Sequence, residues 1–457
     1  MKVIVCGAGQ VGWQIARHLS GEGNEVTVVD KNPDLVARAT DTLDVRGVTG
    51  FASYPDVLAS AGAKDTDMLV AATYSDEVNM VTCQVAHSVF KVPRKIARLR
   101  AQNYLDGFFS NLFSRENLPI DVVISPEREV AEAALRRLAT PQAFDAQSFI
   151  DGRATLIGLL LEDDCPVLNT TLRQLTELFS TLNAIVVGVR REGTLFVPDA
   201  DDQLFPGDQI YVFTDSRDVP RTLEIFGKQV RKQERVVILG GGNVGLAVAR
   251  ALETRTHVRA RMIELKREVA ERAADALERT VVLNGNGLDP EVLREAGISR
   301  ADAILAVTDD DKVNILASVR GKAAGCPLAI CLVNDSSFIP LMEPLGIDAH
   351  IDPRATTVSS ILRHVRHGQV RGVYSVGDAE AEVIEARVLS TSPIAGRAIR
   401  EIEFPEGARL GALLKDGELV KPDSATRIDE GDIVVIFAMS AEVPEVERLL
   451  QVSVDFF

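Results

Sequence analysis

Three glycines open the case for chemistry. Gly7, Gly9 and Gly12 lie in "GAGQVG", between the apolar run "KVIVC" and a helical pattern, and Asp30 follows 23 residues after Gly7. These residue types at this spacing suit the phosphates of a nucleotide. Gly7 permits a tight turn, Gly9 lets the backbone approach a pyrophosphate, and Gly12 allows a helix to pack closely on a strand. The helix then presents free N–H groups and its positive dipole end to the phosphates. Asp30 accepts hydrogen bonds from ribose hydroxyls. Its charge repels a 2′-phosphate, which favours NAD or an adenine nucleotide over NADP.

The same arrangement returns as "GGGNVG", with Gly240, Gly242 and Gly245, and Glu264 stands 24 residues after Gly240. The alternative use of either turn is packing alone. Further candidates stand at strand ends, where open α/β sheets place their ligands. They are Gly50, Phe51 and Ala52 after the third strand, Thr73 and Tyr74 after the fourth, and Arg98 on the fifth. Arg100, two residues on, faces the same side as Arg98. An arginine on an apolar strand can clamp phosphate or pair with a helix carboxylate. In the second copy the matching strand is "AICLVND", and Cys331 and Val333 fall where Arg98 and Arg100 stand, so the two sites differ chemically. Catalytic equipment is not evident. No Tyr precedes Lys at the fourth position, and the six histidines form no metal pattern. His364 and His367 read as one solvated helix face with Arg363 and Arg366. A nucleotide-binding chain without such groups reads as a sensor, not an enzyme.

The elements that position these residues are written twice. "KVIVCGAGQVGWQIARHL" reappears as "RVVILGGGNVGLAVARAL", with Gly7 and Gly240 offset by 233. Thr73 pairs with Thr308 and Asn79 with Asn314, both offset by 235. "IDVVISP" pairs with "IDAHIDP", and Gly207 meets Gly431. In the first copy, strands are expected near 2–6, 25–30, 43–48, 67–72, 95–100 and 121–125, with helices between them. Short apolar runs alternating with helices indicate a doubly wound parallel sheet. The fold expected is α/β: two Rossmann-like domains, at 1–125 and 233–353, each followed by a small α+β module, at 141–226 and 370–453. Polar linkers are expected near 139–143 and 227–234.

The bulk composition narrows the partners. The 457 residues carry a net charge of −16, which disfavours both nucleic acid and anionic lipid as partners. The five cysteines are scattered, odd in number and without CxxC, and read as buried reduced thiols of a cytosolic protein. The longest uncharged stretch near a glycine turn, Val236 to Ala249, has 14 residues, against the ~20 of a membrane-spanning helix. The uncharged run from Lys2 to Arg17 mimics a signal peptide, yet its glycines and glutamines read better as strand, turn and helix.

In combination, the order "GxGxxG … D … GxAxxPDVLxxAG … DMLVAxTxSDExNM … IARxR", written twice with a small module after each copy, resembles the TrkA family of the Trk potassium uptake system. Those proteins are built from RCK domains (regulators of potassium conductance), and the resemblance covers essentially the whole chain. It implies binding of NAD(H) and of ATP or ADP. It also implies a peripheral place on the cytoplasmic face of the membrane, docked on a potassium-translocating subunit that it gates. A homo-oligomeric ring follows, most simply four chains contributing eight domains. Carried over, the nucleotide contacts fall on Gly7, Ala8, Gly9, Gln10 and Val11, with Gly12 beneath, and on Asp30, Phe51, Ala52, Thr73, Tyr74 and Arg98. In the second copy they fall on Gly240, Gly241, Gly242, Asn243 and Val244, with Gly245 beneath, and on Glu264, Asn286 and Thr308. Two other readings stay open: an NAD-dependent oxidoreductase, and a nucleotide sensor of another cation transporter.

Overall fold

The computed structural model describes residues 1–21, 23–105, 107–179, 181–228, 234–365, 370–377 and 380–450. The chain divides into two compact units. One joins Met1–Leu135 with Gln233–Val365, and the other joins Arg136–Lys232 with Arg366–Phe457.

The first unit holds two copies of one sheet. The first copy runs β1 (Lys2–Cys6), α1 (Gln10–Gly21), β2 (Glu25–Asp30), α2 (Pro33–Thr42), β3 (Arg46–Thr49), α3 (Pro55–Ser60), β4 (Met68–Ala71), α4 (Asp76–Ser88), β5 (Arg94–Arg98), β6 (Val122–Ile124) and α5 (Pro126–Ala139). Its six strands are ordered β3-β2-β1-β4-β5-β6, and all pair in parallel. The sheet carries apolar side chains on both faces. Val3, Val5 and Val70 pack under α1, and Ile4, Leu69 and Ala71 pack under α4. That two-sided burial is why the strands read as unbroken apolar runs. The sheet order reverses beside β1, so β1 and β4 open a crevice at their carboxyl ends.

The path returns as β12 (Arg235–Leu239), α8 (Asn243–Glu253), β13 (Arg259–Glu264), α9 (Arg267–Ala276), β14 (Val281–Asn284), α10 (Pro290–Glu295), β15 (Ala303–Ala306), α11 (Asp311–Ala323), β16 (Leu328–Leu332), β17 (Ala349–Ile351) and α12 (Pro353–Arg363). The order β14-β13-β12-β15-β16-β17 repeats the first sheet. Helix α12 leaves its own copy. Val358, Ile361 and Val365, on α12 and just beyond it, join the core formed by Ile15 and Leu19 of α1 and Ile124 of β6. A helix of the second copy thus covers the sheet of the first.

The second unit pairs two small antiparallel modules. One runs β7 (Asp145–Phe149), β8 (Ala154–Leu160), α6 (Leu172–Leu178), β9 (Ala184–Arg191), β10 (Thr194–Phe196), β11 (Gln209–Asp215) and α7 (Val219–Ile225). The other runs β18 (Val370–Val376), β19 (Ala381–Arg387), β20 (Arg397–Ala398), β21 (Ala408–Lys415), β22 (Glu418–Val420), β23 (Arg427–Ile428), β24 (Ile433–Met439) and α13 (Val443–Leu450). Their five-stranded sheets share one order, β7-β8-β11-β9-β10 and β18-β19-β24-β21-β22. The modules lock by reciprocal Phe-on-Gly packing. A Cβ at Gly188 would stand 2.8 Å from the Phe437 ring, and one at Gly411 2.1 Å from Phe213. The Tyr374 hydroxyl donates to the half-buried Asp145 carboxylate at 2.7 Å.

Several expectations shift. The third strand begins at Arg46, not 43, because Leu43 is the C-cap of α2, its N–H donating to Ala39 O at 2.9 Å. Strand β5 stops at Arg98, so Arg100 lies just beyond it. Helix α12 ends at Arg363, with His364 as its C-cap. Arg366 and His367 lie outside the described residues, as does most of the second linker and the end of the last module.

Candidate nucleotide sites

Each glycine of the first turn has its own physical reason. Gly7 takes φ +106° and Gly240 φ +108°, a region closed to most side chains. A Cβ on Gly12 would stand 1.8 Å from the Gly7 carbonyl oxygen, and one on Gly245 1.9 Å from that of Gly240. The third glycine is therefore what lets helix meet strand. Gly9 and Gly242 differ from both, since a Cβ at either would have no atom within 4 Å. No described residue requires glycine there, whereas a phosphate approaching the backbone would.

The acidic residues after the second strands do more than the spacing foretells. Ala8 N–H donates to Asp30 Oδ2 at 2.7 Å, and Asn32 N–H to Oδ1 at 2.8 Å. Gly241 and Lys266 make the same bonds to Glu264, at 2.7 and 2.8 Å. Each carboxylate thus ties the glycine turn to the next loop. Each oxygen keeps lone-pair capacity for a ribose hydroxyl.

A second pair of clamps fixes the far side. Asn79 is fully buried. Its Oδ1 accepts from Thr73 N–H at 2.9 Å and from Thr73 Oγ1 at 2.7 Å, and its Nδ2 donates to Thr73 O and Arg98 O. Asn314 holds Thr308 and Leu332 in the same way. Asp76 accepts from the N–H groups of Arg100 and Ala101, and Asp311 from those of Asn334 and Asp335. These clamps align the copies residue by residue. They correct the sequence pairing: Leu332 and Asn334, not Cys331 and Val333, stand where Arg98 and Arg100 do. Cys331 and Val333 face the core. A one-residue slip on a strand exchanges its faces.

One cavity of 1520 Å³ in this unit is lined by both turns. Of the first-copy candidates it touches Gly7, Gly9, Gln10, Val11, Gly12, Asp30, Phe51, Ala52, Thr73, Tyr74 and Arg98. Of the second it touches Gly240, Gly242, Asn243, Val244, Glu264, Asn286 and Thr308. Ala8, Gly241 and Gly245 do not line it: the first two donate to the carboxylates, and Gly245 lies beneath its turn. Arg98 is half-buried, and its buried Nε has no hydrogen-bond partner. Burial, then the neighbouring Arg100, pulls its pKa below the ordinary value. The ion pair weighed for Arg98 forms at Arg100 instead, whose Nε meets Glu127 Oε1 at 3.0 Å while its guanidinium lies over the Tyr74 ring. Among the described residues no group of acidic, histidine or cysteine side chains is arranged to hold a metal. No helix there is long and apolar enough to cross a membrane. All five cysteines are buried and free. Burial pushes the thiols of Cys83 and Cys331 up to about 12.

Sequence reasoning missed the helix starts that also line the cavity: Pro126, Glu127 and Val130 on α5, and Pro353, Arg354 and Thr357 on α12. The paired motifs "ISPE" and "IDPR" were the available signal, since each ends a strand with a proline that opens a helix.

Residues 3–126 and 236–353 match the TrkA-N domain family, and residues 156–227 and 383–451 match the TrkA-C domain family. The chain belongs to the TrkA family. It is 47% identical to the Trk system potassium uptake protein TrkA of Azorhizobium caulinodans, over 100% of both chains. It is 36% identical to that of Halomonas elongata, also over 100% of both. Among solved structures it resembles the GsuK RCK domain, with a TM-score of 0.59 at 18% identity, covering 98% of this chain and 94% of that one. It also resembles the GsuK channel bound to NAD, with a TM-score of 0.60 at 17% identity, covering 98% and 78%. That likeness is one of fold, and it extends through both TrkA-N and TrkA-C repeats.

Proposed function

We propose that this TrkA-family chain is the peripheral regulatory subunit of a Trk-type potassium uptake system. It binds NAD(H), ATP or ADP through the domains at 1–125 and 233–353, and the modules at 141–226 and 370–453 follow each. The observation that carries the reading is the duplicated turn on one cavity. Gly9 and Gly242 leave backbone open where phosphate would approach, and Arg98 offers an unpartnered buried donor. A bound nucleotide supplies no chemistry in this reading; it supplies binding free energy. The first site would hold its phosphates on the turn from Gly7 to Gly12 and on Arg98, its ribose on Asp30, and its base or second ring beside Phe51, Ala52, Thr73 and Tyr74. The second would use the turn from Gly240 to Gly245 with Glu264, Asn286 and Thr308.

Nucleotide shifts the potassium-translocating membrane subunit only through unequal affinity for two arrangements of this chain. The chain acts as a homo-oligomer, most simply of four, on the cytoplasmic face of the membrane, and not as an enzyme. The test is to titrate NAD, NADH, ATP and ADP while following binding and potassium flux into liposomes that carry the membrane subunit. Nucleotide-dependent flux that requires this chain is the expected result. Binding without any effect on flux would overturn the regulatory role, and turnover of NADH with a small substrate would restore the oxidoreductase.

A further inference from the structure

The aligned clamps show that the two sites have exchanged the places of their charges. At the end of β5 stand Arg98 and Arg100, and the first turn of α5 carries Glu127, paired with Arg100 at 3.0 Å. At the end of β16 stand Leu332, only 6% exposed, and Asn334, whose Nδ2 donates to Asp311 at 2.9 Å. The first turn of α12 carries Arg354 in place of Glu127, since Pro126 and Pro353 open the two helices equivalently. Asp309 stands where the first copy has Tyr74. Leu332, Asp309 and Arg354 all line the cavity. Asp335 caps Ser337 N–H at 3.0 Å and feels the Arg354 charge.

These exchanges decide what each site can accept. The strand end of the first site offers two guanidiniums, one with an unpartnered Nε, to the outer phosphates of a mononucleotide. The strand end of the second offers an apolar side chain and a carboxamide, with an exposed acid beside them. A terminal phosphate at that strand end would find no strand-borne cation and would meet the exposed acid Asp309, with Asp310 and Lys312 also on the cavity wall. An uncharged ring would meet a suitable wall. We propose that the second site selects a dinucleotide over a nucleoside triphosphate, and that Arg354, from the helix side, supplies the cation its strand lacks. This rests on the nucleotide reading of both turns. Because α12 packs on α1 of the first copy, a phosphate held by Arg354 sits on the helix that covers the first site's own sheet.

The full-length protein tests this with each turn blocked in turn. Gly9→Ala and Gly242→Ala add a methyl that meets no protein atom within 4 Å but intrudes where phosphate approaches. ATP and NADH are then titrated by calorimetry. With the first turn blocked, NADH should bind at least ~10-fold tighter than ATP at the remaining site, a difference of about one charge-assisted hydrogen bond. On that background Arg354→Ala should weaken NADH at least ~10-fold, and Arg354→Lys should restore it to within ~3-fold, as a point charge still serves. Equal ATP and NADH affinities at the second site, or NADH binding indifferent to Arg354→Ala, would overturn the inference while leaving the nucleotide reading intact. A parent protein that binds neither nucleotide removes that reading and this inference together.

Discussion

Gly7 and Gly240 hold their turns at nearly the same φ, Gly12 and Gly245 lie equally close beneath them, and Asp30 and Glu264 tie those turns by matching bonds. Asn79 and Asn314 make the same four hydrogen bonds. Around this common frame the cavity-facing positions differ: Arg98 against Leu332, Arg100 against Asn334, Glu127 against Arg354, Tyr74 against Asp309. The frame is dictated by backbone geometry, where a substitution clashes or orphans a buried group. The facing positions are freer to differ because their side chains answer to one another and to the cavity, not to the turn: Arg100 meets Glu127 and the Tyr74 ring, and Asn334 meets Asp311. Changes to the frame should therefore injure both copies alike, and changes to the facing positions should separate them.

The largest effect should come from the third glycine. Gly→Ala inside a helix ordinarily stabilises by roughly 0.5–1 kcal/mol. Here the methyl would meet a carbonyl oxygen at 1.8 Å in the first copy and 1.9 Å in the second. Helix and strand must part, and Gly12→Ala and Gly245→Ala should each destabilise their own domain by about 3 kcal/mol or more, at the upper end of overpacking. Hydrogen exchange across α1 and α8 reads this domain by domain. Protection retained in either variant would show that the close approach is not what that glycine is for.

Asn79→Ala and Asn314→Ala come next. Each leaves a threonine N–H and two carbonyls without partners, for a loss of about 1–3 kcal/mol per uncompensated group. Thermal unfolding should fall in both. Only Asn79→Ala should also weaken ATP at the first site, because Asn79 fixes the backbone of Arg98. An equal loss of ATP from Asn314→Ala would erase the distinction between the copies.

Asp30→Ala and Glu264→Ala should each weaken nucleotide at their own site by ~10-fold or more, since each removes a charged acceptor worth about 1.5–3 kcal/mol. Each also frees the N–H it holds on the turn. Calorimetry on the variants with the opposite turn blocked assigns the loss to a site. A variant binding NADH and ATP as tightly as the parent would mean that the carboxylate only braces the turn.

The frame was largely legible in the sequence, and the furnishing in part: Arg98, Arg100 and Tyr74 in the first copy, but not Leu332, Asn334 or Arg354 in the second. Apolar runs separated by glycine turns mark a parallel sheet because both faces are buried, and the repeat doubled every signal. The same two-sided burial hid the register of "AICLVND". With no polar alternation to mark a face, the sequence pairing sets the arginine equivalents one residue early, and only the bond from Asn314 to Leu332 O and those that Asp311 accepts fix them. The brace from Asp30 to Ala8 was invisible because its partner is a backbone N–H. The crossing of α12 onto α1 was invisible because helix periodicity says which face is apolar, not which sheet it covers.

The smallest effect expected is a gain. Leu332→Arg places at the end of β16 the cation that β5 carries at Arg98. Two terms oppose each other there. A guanidinium near a phosphate gains Coulomb energy, and the half-buried setting of Arg98, whose Nε goes unpartnered, shows that such a position also desolvates it. Leu332 is more buried still, at 6% exposure, and Asp309 and Asp335 nearby compete for the new charge. The net should be modest: ATP at the second site should tighten by ~3–10-fold, about 0.7–1.4 kcal/mol, and NADH should change less. Calorimetry on the Gly9→Ala background reads it. Adding Asn334→Arg should carry the gain further, since Arg100 accompanies Arg98 in the first copy. If neither change raises ATP affinity, the strand-end cations are not what separates the two sites, and the difference must lie with the helix-borne Glu127 and Arg354.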